Sequence, residues 1–229
     1  MVRVQEDTLK MRTHRQRMPR CNHCCLPEVI CLCAELKPIP TKTRSIFIVH
    51  AYEIRKSTNT GRLAHLVMPN SDLCVRGRLG ETINFSDYID PNRANLVLFP
   101  DETACELSPE YVASLEKPIT LFIPDGNWRQ ASRIPKREPE LKNLQRVKIP
   151  LGKPSEYRLR REPKLGFGLA TMEAAARALG IIEGPEVEEQ LMHIFRRMVE
   201  KTLCIKGQLS KDDVYGGFSD AYASSSPEV

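Results

Sequence analysis

Three stretches of this chain carry residue types whose spacing could do chemistry. Cys21, Cys24, Cys31 and Cys33 read C-x2-C-x6-C-x-C, with Cys25 and His23 beside them as spare donors. Four thiolates from one tight knuckle satisfy a tetrahedral zinc ion and leave no open coordination position, so the metal would be structural and not catalytic. A redox pair needs only two cysteines, and no thioredoxin-like pattern surrounds these. Spacing alone leaves open whether Cys24 or Cys25 completes the set.

The second stretch is Asp125-Gly126-Asn127-Trp128. An acid that follows an apolar run can project a carboxylate into a cleft, while the adjacent glycine lets a ligand approach the backbone. Trp128 is the only tryptophan, and core filling is the competing reading of it. In the third, Tyr157-Arg158-Leu159-Arg160-Arg161, one aromatic is interleaved with three guanidinium groups that can fork onto phosphate or carboxylate. A solvated basic loop is the alternative there.

The elements that must position these residues follow from local pattern. Residues 45–50 (SIFIVH), 96–99 (LVLF) and 119–123 (ITLFI) are short apolar runs too continuous for half-exposed strands, and they suit a parallel sheet covered on both faces. Helices are predicted over 62–68, capped by Asn59 or Thr60 and stopped by Pro69, and over 109–116 after the Ser108-Pro109 start. A helical turn is predicted at 128–134, a further strand at 145–149, and helices at 171–179 and from Pro185 onward. In the last, Val187, Leu191, Ile194, Phe195, Met198 and Leu203 form an amphipathic stripe. Strands alternating with helices predict an open, mostly parallel α/β sheet, whose ligands bind outside the carboxyl ends of the strands.

Composition sets the frame. With 229 residues, 41% hydrophobic and 28% charged, the chain can bury a sizeable core, and wholesale disorder is excluded. Apolar runs such as 46–49 and 96–99 stop at four residues, so no membrane span is expected. The first twenty residues lack the apolar core of a secretory signal, which makes the cytoplasm the expected compartment and keeps the eight cysteines reduced. Residues 129–164 hold twelve Lys and Arg against four Glu, a local excess larger than the net +5 of the whole chain. Such concentration is the electrostatic footprint of a polyphosphate partner. The expected organisation is a flexible basic arm at 1–20, the knuckle and a proline-stiffened linker at 21–41, the catalytic α/β domain at 42–205, and a frayed polar tail at 206–229.

Several motifs, in order, resemble the DTW-domain family. They are the C-x2-C-x2-P-x3-C-x-C knuckle (Cys21, Cys24, Pro27, Cys31, Cys33), His50-x2-Glu53, the stretch Asn59 to Ala64, Leu98-Phe99-Pro100, Asp125-x-x-Trp128-x-Gln130-Ala131, Tyr157-Arg158-x-Arg160, and Thr171-x-Glu173-Ala174. The likeness runs from about residue 21 to 203. One departure is visible, because Asn127 stands where the family usually has threonine.

The resemblance implies a tRNA-uridine aminocarboxypropyltransferase related to the SPOUT enzymes, with a C-terminal trefoil knot that holds S-adenosylmethionine. It implies that Asp125 accepts the uridine N3 proton or orients the imide, or else bonds the donor's amino group, and that Trp128 walls the cleft. Pro100, Gly126, Tyr157, Arg158, Leu169, Thr171 and Glu173 would lie against the donor, and His50, Arg55, Asn59, Arg129, Arg133 and Arg160 would face tRNA. A single-stranded loop with an unstacked uridine is the expected target. A SPOUT-like RNA methyltransferase and a noncatalytic zinc RNA-binding protein are the alternatives, and the expected assembly is a monomer or homodimer.

Overall fold

The structure, a computed structural model, describes residues 18–159 and 168–218. At its centre β1 (Arg44–His50) lies beside β5 (Ile119–Asp125). Outside β1 is β2 (Ser71–Arg76), and outside β5 come β3 (Ala94–Leu98), β6 (Gln145–Lys148) and the short β4 (Cys105–Glu106). All five pairings of this open sheet are parallel, in the order β2-β1-β5-β3-β6-β4.

Side chains alternate across a strand, so each central strand feeds two cores. Phe47, Val49, Leu121 and Ile123 point into one, closed by α1 (Thr60–Val67), α2 (Pro109–Ser114), α6 (Thr171–Glu183) and α7 (Pro185–Ile205). Ile46, Ile48 and Phe122 point into the other, under α3 (Trp128–Ala131), α4 (Ile134–Arg137), α5 (Pro139–Lys142) and a 3-10 turn at Phe85–Tyr88. Burial on both faces explains why β1 and β5 are unbroken apolar runs.

The predicted strands and helices are present, with three informative differences. β5 runs through Pro124 to Asp125, two residues beyond the predicted end. Pro124 lies past the last β3 partner, Val97↔Phe122, so only β1 still flanks the strand there. Edge strands β2 and β4 were not anticipated, since SDLCVR is only partly buried, CE is exposed, and neither carries an apolar run. Residues 206–218, expected to fray, lie against α7: Val214 is buried, and Arg197 donates to the carbonyls of Tyr215 and Gly217.

The knuckle shares the first core, through Leu26, Ile30 and Leu32. Its proline-rich linker is tied down by the Ile39 N–H, which donates to the Val67 carbonyl at 2.6 Å. Glu35, just beyond the last cysteine, accepts from Lys201 Nζ at 2.5 Å and pairs with Arg197 at 2.6 Å, both on α7. The expected trefoil knot depends on the path of residues 160–167, which lie outside the described residues, as does the basic arm before residue 18.

Candidate active site and cysteine centre

Asp125 ends the central strand and is only 5% exposed. Its Oδ2 accepts from Asn59 Nδ2 at 2.6 Å, and its Oδ1 accepts from the Thr171 hydroxyl at 2.6 Å. Asn59 is the N-cap of α1, with Oδ1 accepting from the Arg62 N–H at 2.8 Å, and Thr171 is the first residue of α6. The Met172 N–H also donates to the Thr60 hydroxyl, at 3.3 Å. One carboxylate thus gathers the starts of two helices at the mouth of β5. The approach depends on Gly61, where a Cβ would stand 2.5 Å from Asp125 Oδ2. Burial pushes the Asp125 carboxyl above its ordinary value, and the bonds donated by Thr171 and Asn59 oppose that shift.

With both oxygens occupied inside the fold, Asp125 is built as a clamp. Asn59, expected to face RNA, is turned inward and spent on the cap and the clamp.

The chain then turns outward. Gly126 has φ +157, and a Cβ there would meet the Gln130 side chain at 2.9 Å. Asn127 caps α3 in a reciprocal box: its Oδ1 accepts from the Gln130 N–H at 2.9 Å, and its own N–H donates to Gln130 Oε1 at 2.8 Å. Asparagine and threonine are both good N-caps, so the departure at Asn127 preserves the local geometry. Trp128, next in line, is 58% exposed, with its ring 5.3 Å from that of Phe99. The core-filling reading of Trp128 is therefore excluded.

Around this mouth, Pro100 is exposed after β3, and Leu169 is half-buried just before α6. Glu173 is fully buried and accepts from the Ala170 N–H at 2.8 Å, the Ser155 hydroxyl at 2.6 Å and the Glu156 N–H at 2.7 Å. It thereby staples the loop after β6 to α6. Tyr157 donates its hydroxyl to the Thr58 carbonyl at 3.1 Å and packs on Phe195. Arg158 pairs with Glu200 at 2.6 Å on the rim of a 410 Å³ cavity lined also by Ser155, Glu156, Arg196 and Val199. His50 ends β1, and Arg55, Arg129 and Arg133 lie in the loops and short helices at the same edge, the first two exposed and Arg133 partly buried. Arg160 lies outside the described residues.

The four predicted cysteines converge. Their sulfurs all lie within 4.8 Å of one another, with Cys21–Cys33 and Cys24–Cys31 each at 3.6 Å. A tetrahedral zinc with bonds of about 2.3 Å puts its sulfurs about 3.8 Å apart. The cluster is therefore compatible with a zinc knuckle, and the geometry selects Cys24 over Cys25. Cys25 takes the turn instead, with φ +55. The backbone N–H of Cys24 brings the Cys21 thiol down to about 6, whereas burial pushes Cys31 and Cys33 up. A divalent cation would offset half the charge of four thiolates and hold all four deprotonated.

The DTW-domain profile matches residues 18–203. The chain belongs to the DTW-domain family. The tRNA-uridine aminocarboxypropyltransferase 2 of Macaca fascicularis is 30% identical over 177 residues, which are 73% of this chain and 58% of that protein. The Drosophila melanogaster protein of the same name is 30% identical over 185 residues, 77% of this chain and 72% of its own length. This DTW chain thus spans under two thirds of the length of its macaque relative. A solved structure described as the SAM-dependent rRNA:acp-transferase Tsr3 from Vulcanisaeta distributa aligns at 16% identity with a TM-score of 0.42, over 72% of this chain and 79% of that one. Among the described residues of the DTW protein, no helix is long and apolar enough to cross a membrane.

Three residues of the DTW site had no role assigned from sequence, Gly61 and Arg62 having entered only as part of the Asn59 to Ala64 motif and Ser155 not at all. Gly61 makes room for the Asp125 carboxylate, Arg62 donates to the His23 and Cys24 carbonyls, and Ser155 holds Glu173. Glycine and arginine directly after a capping Asn-Thr were the available signal for the first two. Ser155 carried none.

Proposed function

We propose that this DTW protein transfers the 3-amino-3-carboxypropyl group of S-adenosylmethionine to N3 of a tRNA uridine. The names of its relatives support the reaction class. The observation that carries it here is Asp125, a buried carboxylate that draws the starts of α1 and α6 together beside the exposed Trp128. The balance is simple: the N3–carbon bond forms, the carbon–sulfur bond breaks with its electron pair leaving on sulfur as methylthioadenosine, and the N3 proton passes to solvent. The donor supplies a carbon activated by its sulfonium.

The chain's own residues would supply position. Asp125 acts through Thr171 and Asn59 as a positioning residue, in place of the proton acceptor suggested by sequence, because it is buried and each of its oxygens holds a helix start inside the fold. The backbone at Pro100, Gly126, Leu169 and Thr171 would meet adenosine and ribose, with the Trp128 indole as a wall. Holding the reactants in line is where most of the rate would arise, up to roughly 7–11 kcal/mol. Arg129, Arg133, Lys136 and Arg137, on and beside α3 and α4, would follow tRNA phosphates without reading sequence. Cys21, Cys24, Cys31 and Cys33 would hold one structural zinc.

The test is incubation of the full chain with S-adenosylmethionine and unmodified tRNA, followed by nucleoside mass spectrometry. The expected products are aminocarboxypropyl-uridine and methylthioadenosine. A methylated nucleoside with S-adenosylhomocysteine would replace this reading by a methyltransferase, and tRNA binding with neither product by a noncatalytic binder.

A further inference from the structure

Every pairing in the sheet is parallel, so the loops after β1, β2, β5 and β6 all leave from one edge. Six large apolar side chains are exposed among the described residues, and four of them, Tyr52, Leu79, Trp128 and Leu151, stand in those loops. Scattered exposed apolar residues are ordinary, but their concentration on the edge that carries Asp125 marks a contact surface.

Tyr52 is the most informative of the four. Its ring is 80% exposed yet braced, lying on the His50 imidazole with centroids 5.3 Å apart and planes 16° from parallel. The Tyr52 N–H donates to His50 Nδ1 at 3.3 Å. His50 is backed in turn by Gly77, at φ +84, where a Cβ would stand 3.2 Å from its Nε2. Trp128 leans on Phe99 at the same centroid distance but tilted, with planes 38° apart, and it follows the strand next to β1, since Val49 pairs with Asp125 across β1 and β5. Ordering a flat ring in water before any ligand arrives lowers the cost of stacking something on it.

We infer that Tyr52, braced by His50, is a stacking shelf for an unpaired base next to the target uridine; the inference rests on the proposed transfer reaction for where that uridine lies. Every nucleobase has a π-face, so such a shelf accepts any base but requires that it be splayed out of a helix. Arg55 lies in the same loop as Tyr52, and Arg129 beside Trp128, where a strand laid across both rings would carry its phosphates. The shelf selects single-stranded RNA by shape, a task that phosphate contacts cannot perform.

The experiment is equilibrium binding of unmodified tRNA, and of its target loop free or annealed to a complement, to wild type and to Tyr52→Ala, Tyr52→Leu and Tyr52→Trp. Tyr52→Ala and Tyr52→Leu should weaken binding of tRNA and of the free loop by roughly ten- to a hundredfold. Tyr52→Trp should restore it, the annealed loop should show no dependence on Tyr52, and donor affinity should stay as in wild type. Equal binding by Tyr52→Ala, or full rescue by Tyr52→Leu, overturns the shelf. A wild type that forms aminocarboxypropyl-uridine while Tyr52→Ala binds normally overturns the shelf alone. A ring-dependent loss of binding with no transfer product overturns the transfer reading and leaves the shelf standing.

Discussion

Arg62 donates from Nη1 to the His23 carbonyl at 2.8 Å, and from Nη2 to the carbonyl of Cys24. A buried guanidinium of α1 therefore closes the cysteine knuckle from outside. Its own N–H is held by Asn59 Oδ1, and Asn59 Nδ2 reaches Asp125, so one bonded path runs from a cysteine of the knuckle to the end of the central strand. Arg62→Lys keeps the charge but cannot fork onto two carbonyls. It should cost about 2–3 kcal/mol in denaturant unfolding and speed release of bound zinc to a chelator. Unchanged zinc release would sever the link.

The choice between neighbouring cysteines has a direct readout. Cys24→Ser should abolish stoichiometric zinc, measured by elemental analysis of the purified chain, while Cys25→Ser should retain it. Cys25→Gly should retain it too and gain about 0.5–1 kcal/mol, because glycine carries no penalty at the positive φ that Cys25 adopts.

Gly61→Ala drives a methyl group to 2.5 Å from Asp125 Oδ2, so the carboxylate must leave Asn59 or α1 must move. A loss of about 1–3 kcal/mol in unfolding free energy is expected, as for other overpacked sites. Donor affinity, measured by calorimetry, should fall with it, since the clamp holds the helix starts around the mouth.

Two carboxyl groups should shape the pH dependence of stability in opposite directions. Asp125 is raised, first by burial, so its contribution is present below about pH 4 and is lost as pH rises through its folded value. The stability of wild type relative to Asp125→Asn should therefore fall as pH increases from about 4. For Glu35, burial alone would raise the carboxyl, but hydrogen bonds from Lys201 and Arg197 outweigh it and hold the group below its ordinary value. Its contribution is present above about pH 4.3 and is lost on acidification through the folded value. Glu35→Gln should flatten the acid limb of a denaturant-unfolding series. An acid limb identical to wild type would show that the Lys201 pair adds nothing.

The residues legible from sequence share one property: their signal is local. Four cysteines within thirteen residues announce a metal knuckle, and the apolar runs of β1 and β5 announce strands buried on both faces. Asp125 and Trp128 drew notice because an acid, a glycine and the lone tryptophan follow such a run directly. β2 escaped because an edge strand needs neither a continuous apolar run nor strict alternation, and its SDLCVR is mostly half-exposed. Asn59 was misjudged because a capping asparagine and an RNA-facing asparagine look alike until its amide is seen on Asp125.

The sequence by itself determined the parallel α/β class, the cysteine cluster apart from one neighbour, and which strand end carries the acid, because each depends on residues a few positions apart. Only the tertiary structure decided what that acid touches. Asn59 and Thr171 lie 66 and 46 residues from Asp125, and Glu35 lies 166 residues from Lys201. Contacts at those separations are made when helices pack across a sheet, and no local propensity encodes them. Packing turned Asp125 inward as a clamp and left Tyr52 and Trp128 outside.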